Sequence, residues 1–143
     1  MVDLAKEYGY VFDGDYAGLL DFYEKEVEPK LIRPTFVYNP PSSAVPLAKE
    51  SVENPGFADA FELVINGMEI GCGYSEQSNP DLQQRAFENQ KTEIDVDFVE
   101  ALKVGMPPAG GLGIGIDRLV MVLTGALSIR DVILFPLMKP EGR

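Results

Sequence analysis

Alternating apolar and polar positions predict an antiparallel hairpin near the middle of the chain. Residues 61–65 and 68–72 flank Asn66-Gly67, a dipeptide that tolerates the positive φ angles of a tight two-residue turn. In an unbroken register through this turn, Ile65 faces Met68. One face then carries Phe61, Leu63, Ile65, Met68, Ile70 and Cys72, which we expect to form a core. The other face carries Glu62, Val64, Glu69 and Gly71.

Two glycines interrupt the second strand of this hairpin, within residues 71–73. Glycines inside a strand often mark a bulge, which adds one residue and reverses the side-chain alternation beyond it. Without a bulge, Glu76 would face the core, where an unpaired carboxylate is costly. We therefore predict a bulge at 71–73 and place Glu62, Glu69 and Glu76 on the same side of the sheet.

Other periodic segments complete a fold prediction for one domain, residues 1–143. Apolar spacing of three and four predicts helices near residues 15–28, 79–91, 97–104 and 117–124. Strands are expected at 35–38 and 112–116. The predicted class is α/β (α+β), with a mainly antiparallel sheet flanked by helices. Those near 15–28, 79–91 and 117–124 are expected to cover one face.

Composition narrows the function classes. The chain has no histidine, which excludes histidine-based catalytic triads and the usual zinc sites, and its one cysteine excludes an internal disulfide. The net charge of −11 disfavours strong binding of nucleic acid by these residues. No apolar run approaches the length of a membrane span, and no signal peptide is visible, so we expect a cytoplasmic location without membrane contact.

Two carboxylates of the predicted hairpin are candidates for metal binding. Glu62 and Glu69 lie diagonally across the ladder, with backbones about 7–8 Å apart. Such a pair can hold Mg²⁺ when phosphate oxygens complete the coordination shell. The pattern alone leaves open the alternative that each is an ordinary solvent-facing strand residue.

Glycines alternate with apolar residues along 110–118. Leu112, Ile114 and Ile116 fall on one face, and Gly111, Gly113 and Gly115 leave the other face bare, so that a flat ring can approach the backbone. Arg118 follows at the strand-to-helix junction, where it can stack on an aromatic ring or bind phosphate. The spacing is neither a dinucleotide-binding fingerprint nor a P-loop. Tight packing by the glycines, with Arg118 in a surface ion pair, is the alternative.

A longer resemblance includes this glycine run. Residues 111–125 (GLGIGIDRLVMVLTG) resemble motif 3 of the class II aminoacyl-tRNA synthetases, and 128–136 (SIRDVILFP) extend the match as in the subclass for lysine, aspartate and asparagine. Residues 34–49, 61–76 and 105–110 are similar to segments of the lysyl enzymes. The aspartyl and asparaginyl enzymes usually have a histidine in the last of these segments, and this chain has none.

The resemblance implies roles on the ATP side of an active site. Glu62 and Glu69 would bind Mg²⁺ together with ATP. Arg118 would be the catalytic arginine that lies against adenine and reaches the γ-phosphate. Gly113 and Gly115 would leave room for the adenine.

The resemblance also implies a pocket for L-lysine. Glu76 would accept the ε-ammonium of the substrate, and Tyr74 would contact its methylene chain. Cys72 occupies the position where the lysyl pattern usually has an asparagine that hydrogen-bonds the amino acid. A thiol is a poor replacement for an amide, so weaker lysine binding is expected.

The implied activity is ATP-dependent lysine–tRNA ligation by a homodimeric full-length enzyme acting on tRNA(Lys). Nothing in these residues resembles motif 1, motif 2 or an anticodon-binding barrel, so we expect no catalysis from them alone. Two alternatives stay open. One is a paralogue that lysylates a protein such as elongation factor P, or a lipid. The other is a non-catalytic binding or regulatory module.

Overall fold

A meander of four antiparallel strands forms the centre of the fold. The computed structural model describes residues 6–9, 17–90 and 94–137. The sheet order follows the chain. The strands are β1 (Thr35–Tyr38), β2 (Ala60–Ile65), β3 (Met68–Ser75) and β4 (Gly110–Ile114). The predicted α/β class with an antiparallel sheet is confirmed.

The helices lie close to the predicted segments. Helix α1 (Ala17–Phe22) continues as a π-helix (Tyr23–Val27) and a 3₁₀ turn (Glu28–Lys30), and these residues 17–30 are called the α1 segment below. The other helices are α2 (Pro80–Asn89), α3 (Val96–Val104) and α4 (Ile116–Thr124), with 3₁₀ turns at Ser42–Ala44 and Ile129–Asp131. None of the described helices is long and apolar enough to span a membrane.

The helix ends follow from local sequence chemistry. The Asn79 side chain accepts hydrogen bonds from the backbone N–H groups of Asp81 and Leu82, which caps α2. Asp95 caps α3 in the same way through the N–H of Phe98. Helix α4 ends at Gly125, whose φ of +74° is a left-handed conformation that favours glycine.

The hairpin has the predicted turn but a bulge at a different position. Asn66 and Gly67 have φ angles of 54° and 68°, and Ile65 lies opposite Met68, as expected. Leu63, however, lies opposite Gly71, so the extra residue is Ile70 rather than one of residues 71–73. The unbroken pairing of residues 61–65 with residues 68–72 is therefore wrong. The extra residue is a buried isoleucine, 2% exposed, whereas residues 71–73 pair regularly with both neighbouring strands.

The core lies on the opposite face from the one predicted. Leu19, Phe22 and Tyr23 of the α1 segment are buried, as is Val64, on the face that also carries Glu62. Helix α2 packs mainly against α3, with the rings of Phe87 and Phe98 in contact, and α4 contacts β3. The expected core face is only half-buried on β2 and is more than half exposed at Phe36, Tyr38, Leu112 and Ile114. The α1 segment makes the difference, because it covers the sheet on the Glu62 side.

Candidate functional site

The strand register brings most of the predicted site residues to one face of the sheet. Glu62 lies opposite Cys72, which in turn lies opposite Gly113, and directly opposed residues share a face. The carboxylate face, as it is called below, consists of Glu62, Glu69, Cys72, Tyr74, Glu76, Gly111 and Gly113. The predicted common side for the three glutamates is confirmed, through the bulge at Ile70.

Tyr23 contacts the first of these carboxylates from the α1 segment. Its phenol oxygen lies 3.5 Å from Oε2 of Glu62, to which it donates a hydrogen bond. Burial raises the pKa of the Glu62 carboxyl, and the carboxylates of Glu69 and Glu28 raise it further. Burial likewise raises the pKa of Tyr23, with Glu62 as the next cause. A cation beside Glu62 would therefore relieve unfavourable electrostatics.

Arg118 lies beside the second carboxylate. Its Nη1 donates a hydrogen bond of 2.8 Å to the backbone carbonyl of Glu69 and lies 3.7 Å from Oε2 of the same residue. The junction between β4 and α4 fixes this position, since the N–H of Gly115 donates to the carbonyl of Ile70 at 2.8 Å. The bulge and the arginine are thus joined through the backbone.

The glycines of β4 differ in what faces them. A β-carbon on Gly113 would meet its nearest neighbour at 4.0 Å, and one on Gly115 would make only ordinary contacts. A β-carbon on Gly111 would lie 2.5 Å from Oε1 of Glu76. The bare surface expected from the sequence is therefore present at Gly113, whereas Gly111 accommodates the Glu76 side chain.

The residues predicted to bind lysine form a row along β3. Cys72 and Tyr74, two residues apart, both lie on the carboxylate face, and Glu76 comes next on that face. The N–H of Glu76 donates to the carbonyl of Ala109 at 2.9 Å. Burial raises the pKa of the Cys72 thiol, as do Glu69 and Glu62. Burial and the nearby Glu76 raise the pKa of Tyr74. All three side chains are partly buried.

The surface depressions bring together some of the predicted residues and separate others. One depression of about 370 Å³ is lined by Glu69, Cys72, Gly113, Gly115 and Arg118, among others. Glu62 lines a different, more apolar cavity of about 210 Å³ with Tyr23 and Leu19. Glu76 lines a third, of about 150 Å³, beside Lys49 and Asp59, and Tyr74 a fourth with Gly111.

Two residues of the site were missed in the sequence. Tyr23 was assigned only to an apolar helix face, and Glu28 was not considered. Burial raises the pKa of the Glu28 carboxyl, whereas a hydrogen bond from the backbone of Glu69 lowers it. This hydrogen bond places Glu28 near the carboxylate face. The i, i+4 spacing of Glu24 and Glu28 was a usable signal, because it puts both on one side of a helix.

The carboxylates of the site can hold a cation only when a bound ligand supplies further oxygen atoms. Within residues 6–9, 17–90 and 94–137, no three or more cysteine, aspartate or glutamate side chains are grouped to hold a metal. Glu62 and Glu69 offer oxygen ligands, which suit Mg²⁺ when phosphate oxygens and water complete its octahedral shell. The residues present therefore fit a magnesium–nucleotide complex.

The family match and the most similar relatives reported below agree on one family of proteins. Residues 13–139 match the family described as tRNA synthetases class II (D, K and N). The chain is 53% identical over 132 residues to a lysine–tRNA ligase of Fusobacterium nucleatum, covering 85% of the chain and 27% of the relative. It is 54% identical over 130 residues to one of Lactiplantibacillus plantarum, covering 84% and 26%, and 49% identical over 150 residues to one of Staphylococcus saprophyticus, covering 96% and 30%. The chain therefore spans less than a third of the length of these relatives.

Proposed function

The chain belongs to the class II tRNA synthetases for aspartate, lysine and asparagine, and from this premise we propose that it forms part of the catalytic domain of a lysine–tRNA ligase. Such an enzyme joins the carboxylate of lysine to the α-phosphate of ATP, releases pyrophosphate, and transfers the lysyl group to tRNA(Lys). The observation that carries the proposal is the convergence of Glu62, Glu69 and Cys72 on one face with Arg118 beside them.

On the ATP side, Glu62 and Glu69 would hold Mg²⁺, and adenine would lie over the bare backbone at Gly113, next to Gly115. A bound Mg²⁺ neutralises charge on the phosphate oxygens. The Arg118 side chain is about half exposed, which leaves it able to stack on the adenine ring and reach the γ-phosphate. Arg118 would contribute positive charge to the phosphates beside Glu69, with which it already makes contact.

On the lysine side, Glu76 is proposed to pair with the ε-ammonium and Tyr74 to contact the methylene chain. A charge-assisted hydrogen bond to a partly buried carboxylate favours an ammonium over the shorter, uncharged or anionic side chains of asparagine and aspartate. Cys72 has no amide with which to bind the amino acid. We therefore expect weaker lysine binding than with asparagine at this position.

The remaining parts of the function concern the whole protein. A full-length enzyme is proposed to act as a cytoplasmic homodimer on ATP, L-lysine and tRNA(Lys), while residues 1–143 alone are expected to be inactive. The negative charge of these residues disfavours tRNA contact, so the tRNA would bind mainly elsewhere. The relatives named lysine–tRNA ligase support this activity over lysylation of a protein or lipid and over a purely regulatory module.

Two measurements test the proposal. Calorimetry of the chain with ATP, with and without Mg²⁺, should detect binding that depends on Mg²⁺ and is weakened in Glu69→Gln. In a full-length enzyme carrying this sequence, pyrophosphate exchange should depend on lysine, with aspartate and asparagine as controls. Metal-independent ATP binding, or exchange driven equally by asparagine, would contradict the proposal.

A further inference from the structure

Tyr23 occupies a fixed position above the carboxylate face. It lies in the π-helical part of the α1 segment and is 7% exposed, next to Phe22, which is 1% exposed. The segment is anchored by these buried rings and by Leu19, which is 5% exposed. The Tyr23 hydroxyl therefore meets Glu62 with little freedom to move.

We propose that Tyr23 is a positioning residue whose hydroxyl orients the Glu62 carboxylate for the Mg²⁺ that accompanies ATP. The inference rests on the proposed function, because it takes Glu62 as a magnesium carboxylate. The phenol donates to Oε2 of Glu62 at 3.5 Å, so Oε1 does not share this hydrogen bond. Hydrogen bonds of this kind to a metal ligand fix its orientation and tune its affinity for the metal.

The surroundings of Glu62 explain why such a bond matters. The carboxylates of Glu69 and Glu28 repel the charge on Glu62. A hydrogen bond from a neutral phenol holds Oε2 of Glu62 in place without adding a positive charge that would compete with the cation. Tyr23 thus fixes one oxygen of the carboxylate that would bind Mg²⁺.

The matched substitutions are Tyr23→Phe and Tyr38→Phe. The first removes the hydroxyl and keeps the buried ring. The second removes a hydroxyl from a side chain that is 64% exposed and lies opposite Phe61, rather than Glu62, in the ladder. Both substitutions keep the aromatic ring, so a difference between them reports the hydroxyl at Glu62.

The experiment measures binding of Mn²⁺, as a paramagnetic substitute for Mg²⁺, to the chain in the presence of ATP by electron paramagnetic resonance. Tyr23→Phe should weaken Mn²⁺ binding by about threefold to tenfold. This loss is smaller than the loss caused by removing a strong hydrogen-bond partner of a metal ligand, because the hydrogen bond is long. Tyr38→Phe should stay within about twofold of the parent. In a Glu62→Gln background, Tyr23→Phe should have no further effect.

The outcomes separate this inference from the proposed function. If Glu62→Gln weakens Mn²⁺ binding and Tyr23→Phe does not, the positioning role is wrong and the metal site stands. The same holds if Tyr23→Phe lowers only the melting temperature measured without metal, since that effect indicates packing. If the parent binds no Mn²⁺ with ATP, or Glu62→Gln changes nothing, the proposed metal site fails and the inference fails with it.

Discussion

Glu62 lies directly opposite Cys72 in the ladder of β2 and β3, and the bulge at Ile70 is the reason. In an unbroken hairpin with the same turn, Glu62 would face Gly71, and Cys72 would join Phe61 on the other side of the sheet. One inserted residue therefore moves the thiol onto the carboxylate face. It also brings Tyr74 and Glu76 to that face, so the whole candidate lysine pocket depends on the bulge.

The Cys72 thiol should react slowly with alkylating reagents. Burial raises its pKa above the usual value, and the carboxylates of Glu69 and Glu62 raise it further, so less of the reactive thiolate is present at any given pH. At neutral pH, iodoacetamide should modify the folded chain several times more slowly than the urea-unfolded chain. Glu69→Gln should speed the folded-state reaction. Equal rates in folded and unfolded chains, followed by mass spectrometry, would contradict this.

Two glycine-to-alanine substitutions should differ in their effect on stability. In Gly71→Ala, the new methyl would lie 2.6 Å from the backbone carbonyl of Gly113, and neither strand can move freely. We expect a loss of about 1–3 kcal/mol in the free energy of unfolding. Gly113→Ala meets nothing closer than 4.0 Å, so its stability should change by less than about 0.5 kcal/mol.

Gly113→Ala should weaken ATP binding although it leaves the stability nearly unchanged. Its methyl would stand on the surface proposed for adenine, so ATP affinity should fall by at least about tenfold, from the lost ring contact and the displaced ring. Urea unfolding and ATP calorimetry on the same variants check both parts. Undiminished ATP affinity in Gly113→Ala would argue against adenine at this position.

Local sequence signals predicted the fold well where one short segment decides the outcome. The Asn66-Gly67 turn and the helices near residues 79–91 and 117–124 all depend on a few neighbouring residues, and each is present. The resemblance to motif 3 predicts the roles of Arg118 and its glycines, and these roles stay predictions. The common face of the carboxylates was predicted correctly, because the cost of burying Glu76 indicated a bulge in β3.

Features set by long-range packing were not predicted. The position of the bulge depends on Ile70 becoming buried, and the choice of core face depends on how the α1 segment lies across β2. Neither follows from alternation, because Phe61 and Val64 are both apolar and only tertiary contact decides which is covered. Tyr23 was missed for the same reason: its partner Glu62 is 39 residues away in the sequence.

Glu62→Gln should stabilise the chain at neutral pH. The pKa of this carboxyl is raised in the folded state from its ordinary value of 4.5, first by burial and then by Glu69. The folded state thus binds the proton more tightly, and stability falls as the pH rises from about 4.5 through the folded pKa. Removing the charge should raise the melting temperature by a few degrees at about pH 7.5. The corresponding gain in the free energy of unfolding is less than about 1 kcal/mol.

The same linkage predicts that this gain disappears in acid. Below the unfolded pKa, at about pH 4, the carboxyl is mostly protonated in both states and the glutamine has little advantage. The exposed Glu53 offers a control, since Glu53→Gln should change the melting temperature little at either pH. Thermal unfolding by circular dichroism at the two pH values tests the prediction. An equal gain at both would indicate a packing effect of the amide instead of a charge effect.

Glu76→Gln should have a much larger effect on lysine activation than Cys72→Asn in a full-length enzyme carrying this sequence. A substrate ammonium without its carboxylate partner stays uncompensated in a partly buried pocket, at a cost of about 3–5 kcal/mol by analogy with broken buried ion pairs. That corresponds to a fall in kcat/KM on the order of 10²–10³ or more. Cys72→Asn adds one neutral hydrogen bond, a gain of roughly tenfold at most. Steady-state kinetics with lysine varied at saturating ATP measures both. If Glu76→Gln stays within about threefold of the parent, under roughly 0.7 kcal/mol, Glu76 is a solvated residue at the end of β3 and the lysine pocket is assigned to the wrong carboxylate.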